Sequence, residues 1–510
     1  MKDSKHIPML ASFAFACTLR AIPELLASPN PIGYDTIAYA LQVQQFEHWI
    51  ACWPRLFLAS PLLYFILAPF AKLWNIFDLL AVASCILYGL LSASVFYFAR
   101  HQLKWSTRHS LPTSIILTLQ FTTLRISWDL LRNELGLILL LVTLPWLEKT
   151  GSRKGIIIAS ILSTLVVLTH QIASSALVFI VVAIALFELI RRNRRRAFGL
   201  LLSITSAAAL LFVTLSIFYG VVPVPICNPS MKDGLNILGI PPQVVGYGIF
   251  LDYTKVYNWS HLEILNEVLS LFQFYYLPIL PLALIGLHRE KLTALFTIFL
   301  LATSFNILIT PSFALALWQR WMLTLSIPFS IYATKGVIRL LQIAKLKILK
   351  AAIVFIILLL FASLSYGFMA NPPEKPHPYF DLYHKRETLL QYFPSSMQMN
   401  TVPLQDTQDM IRILDHLNEV MGENSCLLVH DAFYNWAMMR LEGNKTLIYY
   451  GAGFKARLLD GLKLAEEKGF KAIYWIWWEP GLDWYGQEVP AEFQPYLKSG
   501  RITAYVYAPC

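Results

Sequence analysis

The sequence has 510 residues, of which 56% are hydrophobic and only 14% charged, and its mean hydropathy is +0.55. These values exclude an ordinary water-soluble globular protein and indicate that most of the chain lies in lipid. The net charge of +10 does not predict a nucleic-acid partner, because the basic residues fall in short tracts between apolar runs. Six cysteines show neither a CxxC motif nor metal-ligand spacing, so they predict no disulfide framework and no zinc site.

Apolar runs that are long enough to cross a hydrocarbon layer of ~30 Å can be marked in chain order. A run at residues 56–73 contains Pro61 and Pro69 and either spans or lies along the surface. Counting it as a span would place every strongly basic connection outside, so the positive-inside rule favours a surface helix. The remaining eleven runs are the predicted spans, at residues 9–26, 79–98, 111–127, 131–147, 155–168, 172–190, 198–219, 264–287, 292–309, 314–333 and 351–368.

The same rule predicts the topology, because the basic connections and the N-terminus then all lie on the cytoplasmic side. The outer side receives residues 27–78, residues 220–263 and everything after residue 368. We expect residues 1–369 to form the transmembrane domain and residues 370–510 to form an extracytoplasmic domain. The chain is therefore predicted to be a multi-pass protein of the plasma membrane.

The soluble segments predict further elements. Apolar side chains recur at helical spacing from Tyr39 to Ile50, beside glutamines and a glutamate, as in a helix that lies in the interface plane. The C-terminal domain alternates short apolar strands with helices, which is typical of a small α/β sandwich. We predict strands at residues 426–430, 446–450, 471–477 and 502–508, and helices at residues 433–441 and 455–468. Most of the aromatic residues between Tyr474 and Tyr485 are expected to pack in the core of this domain.

Charged side chains gather near the outer ends of the predicted spans. Inserting each of these charged side chains into a membrane costs roughly 2.5–3.5 kcal/mol on membrane-insertion scales, so each is expected to have a structural or functional role. The set predicts a polar cavity that opens to the outer leaflet and faces a substrate with a lipid tail and an anionic head. Its members are Arg20, Glu24, Asp35, Arg55, Arg125, Asp129, Arg132, Glu134, His170 and Arg320.

Asp35 is the first candidate for chemistry. It ends a turn that is shaped by Gly33 and two prolines, at the start of the predicted amphipathic helix. A carboxylate fixed there could act as a general base or as a metal ligand. Alternatively, it could cap the helix by accepting backbone hydrogen bonds, and the two roles could coexist.

Arg320 is the second candidate. It follows Gln319 and lies some six residues into its predicted span, ~9 Å along the helix at 1.5 Å per residue. A guanidinium there could hold a lipid phosphate bidentately and stabilise a leaving group. The alternative is a structural ion pair with Asp129 or Glu134 across the bundle.

The other charged residues have simple structural alternatives. Arg132 and Asp129 could form a salt bridge at a helix end. His170 could be a hydrogen-bonded turn residue, and Arg20 could neutralise Glu24, which lies one helical turn further on.

This arrangement resembles the GT-C superfamily of membrane glycosyltransferases, which includes protein O-mannosyltransferases, aminoarabinose transferases and oligosaccharyltransferases. Shared features are a first helix followed by a long outer loop with an early acidic residue, two surface helices in that loop, many short spans and an outer C-terminal domain. The motifs that carry the resemblance are Gly33-Tyr34-Asp35-Thr36, Arg132-Asn133-Glu134 and Gln319-Arg320.

The resemblance implies transfer of a sugar from a polyprenyl (dolichyl-type) phosphate donor to a protein, lipid or glycan acceptor on the outer face. Asp35 would activate the acceptor or hold a divalent metal ion, Mg²⁺ or Mn²⁺. Arg320, Gln319, Arg132 and Arg55 would bind the donor phosphate. Supporting roles would fall to Glu24, Asp129, Glu134 and His170.

The sequence departs from the family patterns in two places. The outer loop lacks the paired Asp-Glu of protein O-mannosyltransferases. The segment at residues 477–486 is only superficially similar to the Trp-Trp-Asp-Tyr-Gly signature of oligosaccharyltransferases, so the acceptor stays open. Two other functions stay open as well: a transporter or flippase of a lipid-linked glycan, and a non-catalytic membrane scaffold. A transporter is expected to show internal repeats, which this sequence lacks.

Overall fold

The computed structural model describes residues 6–51, 60–218, 235–239, 250–256, 259–288, 290–315, 318–370, 397–450, 458–482 and 487–508. Helices dominate this part of the chain, and a six-stranded sheet lies towards its C-terminal end. In chain order the helices are α1 (Ile7–Ala27), α2 (Thr36–Gln44), α3 (Phe46–Ala51), α4 (Leu62–Ala71), α5 (Ile76–His101), α6 (Thr107–Thr118), α7 (Phe121–Asp129), α8 (Leu131–Leu147), α9 (Arg153–Val167), α10 (Gln171–Ile190), α11 (Arg194–Phe218), α12 (Tyr253–Val256), α13 (His261–Tyr276), α14 (Leu280–Gly286), α15 (Lys291–Ile309), α16 (Trp318–Thr324), α17 (Ser326–Ile343), α18 (Lys347–Ala370), α19 (Leu404–Val420), α20 (Asp431–Arg440) and α21 (Leu458–Glu467). The strands are β1 (Asn236–Gly239), β2 (Phe250–Leu251), β3 (Ala314–Leu315), β4 (Ser425–Val429), β5 (Thr446–Tyr449), β6 (Ala472–Trp478), β7 (Gln494–Ser499) and β8 (Ile502–Tyr507).

Six of the described helices are long and apolar enough to cross a membrane, namely α1, α5, α10, α11, α15 and α18. Two further pairs are sharply bent, by 118° between α7 and α8 and by 76° between α13 and α14. Counting each bent pair as one span gives eight, so the prediction of eleven is not confirmed. The difference arises because several apolar runs are broken into shorter helices, for example α6 and α7 within the run at residues 111–127.

The helical part is held together by apolar packing and by hydroxyl hydrogen bonds between helices. The hydroxyls of Ser12 in α1 and Ser92 in α5 lie 2.8 Å apart, and the Ser92 hydroxyl also accepts from Thr118 of α6 at 3.0 Å. By contrast, α18 buries only a few side chains near its C-terminal end and exposes the rest of its apolar surface. That pattern is expected of a helix whose outer face contacts lipid.

The predicted surface helices of the first loop are short, and one of them is buried. Helix α4 has only 10 residues, too few to cross a bilayer core. Helix α2 packs on two sides: Tyr39 and Val43 join the core of the helical part, whereas Ile37 and Leu41 join the core of the C-terminal domain. This helix is therefore a layer between the two parts of the protein rather than a helix in the interface plane.

The C-terminal sheet has the strand order β1-β5-β4-β6-β8-β7. Strands β1, β5, β4 and β6 run parallel, and β8 and β7 complete the sheet as an antiparallel pair. The four predicted strands and two predicted helices are present within about three residues, whereas β1, β7 and α19 were not predicted. A small sheet region towards the C-terminal end of the chain is thus confirmed.

One edge of this sheet comes from far earlier in the chain. Strand β1 belongs to the predicted second outer loop, at residues 220–263, yet it pairs with β5 from Asn236 opposite Thr446 to Gly239 opposite Tyr449. The predicted division at residue 370 lies beside residues 371–396, which are outside the described part of the chain. The sheet therefore includes residues from both sides of that division.

The aromatic residues of β6 pack inside the domain, as predicted. Trp475, Trp477 and Trp478 are fully buried, and Tyr474 is nearly so. Tyr485 and its neighbour at position 484 lie outside the described residues. The aromatic side chains of this strand that are described are therefore core residues.

Candidate functional site

The turn that carries Asp35 is built around Gly33. The φ angle of Gly33 is +97°, and a Cβ atom at this position would lie 2.2 Å from the carbonyl oxygen of Trp128. The Gly33 amide donates a hydrogen bond of 2.7 Å to the carbonyl of Met399. Only glycine fits both the left-handed backbone and the close approach, so this residue fixes where α2 begins.

Asp35 and Arg320 lie next to each other. Asp35 occupies the N-cap position of α2, but its side chain makes no capping hydrogen bond, so capping does not account for its carboxylate. The Oδ2 atom instead lies 3.7 Å from Nη2 of Arg320 in α16. The two side chains keep 25% and 17% of their surface exposed. Because charge-assisted hydrogen bonds are about 2.7–2.9 Å long, this is a loose ion pair that a ligand can reach.

Arg132 lies near this pair and contacts the rings of two tyrosines. Its guanidinium carbon is 5.7 Å from the ring centre of Tyr39 and 5.9 Å from that of Tyr64. The backbone amide of Tyr39 donates to the carbonyl of Asp35 at 2.9 Å. This hydrogen bond connects the tyrosine that contacts Arg132 to the turn that carries Asp35. Distances of about 6 Å or less between a guanidinium and a ring are favourable cation–π contacts.

Asp129 pairs with Arg125 in the structure, rather than with Arg132 as one of the structural alternatives had it. Asp129 and Arg125 lie one turn apart in α7, and both are almost completely buried. The Arg125 guanidinium also lies 4.6 Å from the ring centre of Trp128. Leu130 leaves the helical conformation, and α8 departs at 118° to α7, so residues 129 and 132 lie on different helices.

A second polar cluster surrounds Arg20. Its Nη2 atom lies 2.8 Å from Oε1 of Glu24, as the neutralisation alternative predicted, and Glu24 also accepts a hydrogen bond of 3.0 Å from Ser84. Glu134 is fully buried, and neither carboxyl oxygen has a hydrogen-bond partner among the described residues. Neither Glu24 nor Glu134 takes part in the Asp35–Arg320 ion pair.

The remaining predicted residues have more limited roles in the structure. His170 is the N-cap of α10, where its Nδ1 atom accepts from the amide of Ile172 at 3.2 Å, so it is a hydrogen-bonded turn residue as the simpler interpretation predicted. Gln319 lies beside Arg320 in α16, and its Oε1 atom has no hydrogen-bond partner in the described part of the chain. Arg55 lies outside the described residues.

Sequence reasoning missed an acid that the C-terminal domain brings to the Asp35 turn. The hydroxyl of Tyr34 donates to Oδ2 of Asp431 at 2.9 Å, and the hydroxyl of Tyr449 donates to Oδ1 at 3.2 Å. Burial raises the pKa of Asp431, the two phenol hydrogen bonds oppose that rise, and the charge of Asp35 adds to it. A signal did exist, because Asp431 and Tyr449 lie at the carboxyl ends of parallel strands, where α/β sheets bind their ligands.

The described residues do not supply a convincing metal site. No group of three or more His, Cys, Asp or Glu side chains within them is arranged to hold a metal ion. Asp35, the predicted ligand, faces a guanidinium, which repels a cation. A divalent ion such as Mg²⁺ prefers several oxygen ligands, so Asp35 beside Arg320 is a poor fit for it.

Comparison of the sequence with protein-family models finds no match, and comparison with curated proteins finds none either.

Proposed function

We propose that this protein is a membrane glycosyltransferase of the GT-C type, which transfers a sugar from a polyprenyl-phosphate donor to an acceptor on the outer face of the membrane. The observation that carries the proposal is the ion pair between Asp35 and Arg320. It places an acid and an anion-binding guanidinium side by side, at the start of a short helix and within reach of solvent. This is the pair of groups that such a transfer requires.

The reaction can be written with these two groups. The carboxylate of Asp35 takes the proton of the acceptor nucleophile, whose freed electron pair forms a bond to the anomeric carbon of the sugar. The bond between that carbon and the phosphate oxygen breaks, and the polyprenyl phosphate leaves with its electron pair. Arg320 stabilises the negative charge on the leaving phosphate through paired N–H donors.

The resting ion pair is compatible with this cycle. A phosphate that enters the site competes with Asp35 for the guanidinium, because Arg320 can form two parallel hydrogen bonds to phosphate but is 3.7 Å from the carboxylate in the resting state. Exchange of partners would release Asp35 to accept a proton. Arg132, held against Tyr39 and Tyr64, places a further positive charge nearby.

The membrane context supports a lipid-linked donor. Six to eight of the described helices and bent pairs could cross a membrane, so a polyprenyl tail could remain in lipid while its phosphate reaches the site. A flippase or transporter of a lipid-linked glycan would use the same charged groups without breaking a bond. Release of polyprenyl phosphate distinguishes the two functions.

The test uses the purified full-length protein in lipid nanodiscs with polyprenyl-phosphate sugars, and it measures the release of polyprenyl phosphate. We expect turnover by the natural sequence and a loss of at least a hundredfold in Asp35→Asn and in Arg320→Gln, as when a general base or a charge-stabilising group is removed. Asp415 and Arg440 form a comparable pair at 3.5 Å in the C-terminal domain. Asp415→Asn and Arg440→Gln are therefore matched controls that should retain full activity.

Two outcomes would contradict the proposal. Full turnover by Asp35→Asn would remove Asp35 from the reaction. Transbilayer movement of an intact lipid-linked glycan in proteoliposomes, with no release of polyprenyl phosphate, would favour the flippase instead.

A further inference from the structure

The turn that presents Asp35 is held from one side by the C-terminal domain. The Gly33 amide donates to the carbonyl of Met399 at 2.7 Å, and the side-chain amide of Asn400 donates to the carbonyl of Pro31 at 3.0 Å. These hydrogen bonds join residues that lie just before α2 to a segment that leads into α19. The position of the turn therefore depends on the docking of the C-terminal domain.

Asp431 makes the charged contact between that domain and the turn. It is the first residue of α20 and lies two residues after the end of the parallel strand β4. The phenol of Tyr34 donates to one of its carboxyl oxygens at 2.9 Å, and the phenol of Tyr449 donates to the other at 3.2 Å. The ring of Tyr449 packs edge-on against Tyr434, with their centres 4.9 Å apart, so the carboxylate sits in a rigid aromatic setting.

We propose that Asp431 is a positioning residue of the candidate site, which acts through Tyr34 to fix the carboxylate of Asp35 beside Arg320. The inference rests on the proposed function for its catalytic consequence. Its structural part stands on the contacts between the turn and the C-terminal domain.

Asp35 needs such positioning because its carboxylate makes no hydrogen bond to its own helix. Asp35 makes no capping hydrogen bond, and its ion pair with Arg320 is loose, so the neighbouring backbone has to set its direction. Tyr34 is the preceding residue, and its ring is tied at the far end to Asp431. Loss of that tie frees the backbone at the position where small displacements are costly, because a misplacement of about 1 Å can reduce a rate by about a hundredfold.

The kinetic test is a double-mutant cycle on the full-length protein in nanodiscs. We expect Asp431→Asn and Tyr34→Phe each to lower kcat by about tenfold, with little change in KM for the donor, because neither residue contacts the phosphate. The double variant should be no slower than either single variant, since both remove the same tie. Losses that multiply in the double variant, or a rise in KM without a fall in kcat, would overturn the proposal.

A matched control is available elsewhere in the same domain. Tyr507 donates a phenol hydrogen bond of 2.8 Å to Glu466, which is the same chemistry away from the turn. Tyr507→Phe should leave kcat unchanged. A tenfold loss in this variant as well would mean that the domain responds to any lost phenol contact, and the specific role of Asp431 would fall.

Hydrogen exchange separates this inference from the proposed function, because it needs no substrate. In Asp431→Asn and in Tyr34→Phe, backbone amides at residues 32–44 should exchange faster than in the natural sequence, while those of β4 keep their protection. Unchanged exchange at residues 32–44 would overturn the positioning role even in an active enzyme. Faster exchange in a protein that shows no transferase activity would instead retain the structural tie and reject the proposed reaction.

Discussion

The Nη2 atom of Arg320 lies 3.7 Å from Oδ2 of Asp35, and the two residues come from opposite halves of the chain. Arg320 lies in a short helix, and most of the other side chains of that helix are buried, which fixes its position. The position of Asp35 instead depends on the turn before α2. That turn contains a glycine at a φ of +97°. The geometry of the candidate site is therefore most sensitive to substitutions in the turn rather than in the helix.

We predict that Gly33→Ala disrupts this turn. A left-handed backbone costs an alanine about 1–2 kcal/mol, and its Cβ would in addition overlap the carbonyl oxygen of Trp128 at 2.2 Å. We expect at least a tenfold loss of turnover and a lower midpoint of thermal unfolding in detergent. Gly443→Ala is the matched control, because Gly443 has a φ of +70° and a Cβ added there would have no atom within 4 Å. Equal effects in the two variants would show that backbone strain alone matters and that the contact with Trp128 does not.

We also predict that the C-terminal domain depends on Asp406. Arg501 donates to both carboxyl oxygens of Asp406, at 2.8 and 2.7 Å, and the indole of Trp478 donates to one of them at 3.1 Å. Asp406 is 2% exposed and Arg501 is 30% exposed. Asp406→Asn should lower the free energy of unfolding by about 2 kcal/mol, less than the roughly 3–5 kcal/mol for a fully buried pair, because solvent still reaches the arginine.

Thermal or urea unfolding of the full-length protein, followed by tryptophan emission, measures this effect. The control is Asp415→Asn, since Asp415 forms a largely exposed ion pair and should contribute less than about 1 kcal/mol. Equal stability of Asp406→Asn and the natural sequence would mean that the bidentate contact adds nothing.

The sequence predicted the helical class well but missed the breaks within the apolar runs. Between α6 and α7 the chain leaves the helical conformation at Gln120. Two of the polar groups at this break find partners in other helices: the side-chain N–H of Gln120 donates to Ser330, and the Leu119 carbonyl accepts from Ser365 at 2.6 Å. Such breaks persist in an apolar environment only when distant residues supply these partners, and hydropathy along the chain cannot detect them.

The candidate site was predictable in part. The high cost of a charge in a membrane singled out Asp35 and Arg320, but their contact depends on tertiary packing that no local pattern encodes. Asp431 was not predicted, because an acidic residue in a soluble domain has little free-energy cost and is common. Only the rule that parallel sheets bind ligands at their carboxyl edge would have singled it out, and that rule requires the strand order to be known.

A further prediction concerns the topology, on which the proposed function depends. Positive-inside reasoning places the C-terminal domain outside and the start of α11 inside. In a background without native cysteines, a membrane-impermeant maleimide added to intact cells should label Lys468→Cys and not Arg194→Cys, both of which are exposed positions. Permeabilised cells, in which both should react, provide the control. Labelling of Arg194→Cys alone in intact cells would invert the topology and remove the outer-leaflet site.

The contribution of Asp431 to stability should depend on pH. Because burial raises the pKa of Asp431, the folded state holds its proton to a higher pH than the unfolded state, in which the pKa is about 3.9. Linkage then requires that the stability of the natural sequence, relative to that of Asp431→Asn, falls as the pH rises from about 3.9 through the raised pKa of the folded state. Above that pKa the difference in stability between the two proteins is constant. Below about pH 3.9 the carboxyl is neutral in both states, so no such trend is expected there.

Unfolding midpoints of the full-length protein and Asp431→Asn at a series of pH values would measure this difference, with Asp415→Asn as the control for an exposed acid. Tyr34→Phe removes a hydrogen bond that opposes the rise in the pKa of Asp431, so it should extend the loss of stability to higher pH. If the natural sequence instead gained stability relative to Asp431→Asn as the pH rose, the phenol hydrogen bonds would outweigh burial, and Asp431 would favour its charged form in the folded state.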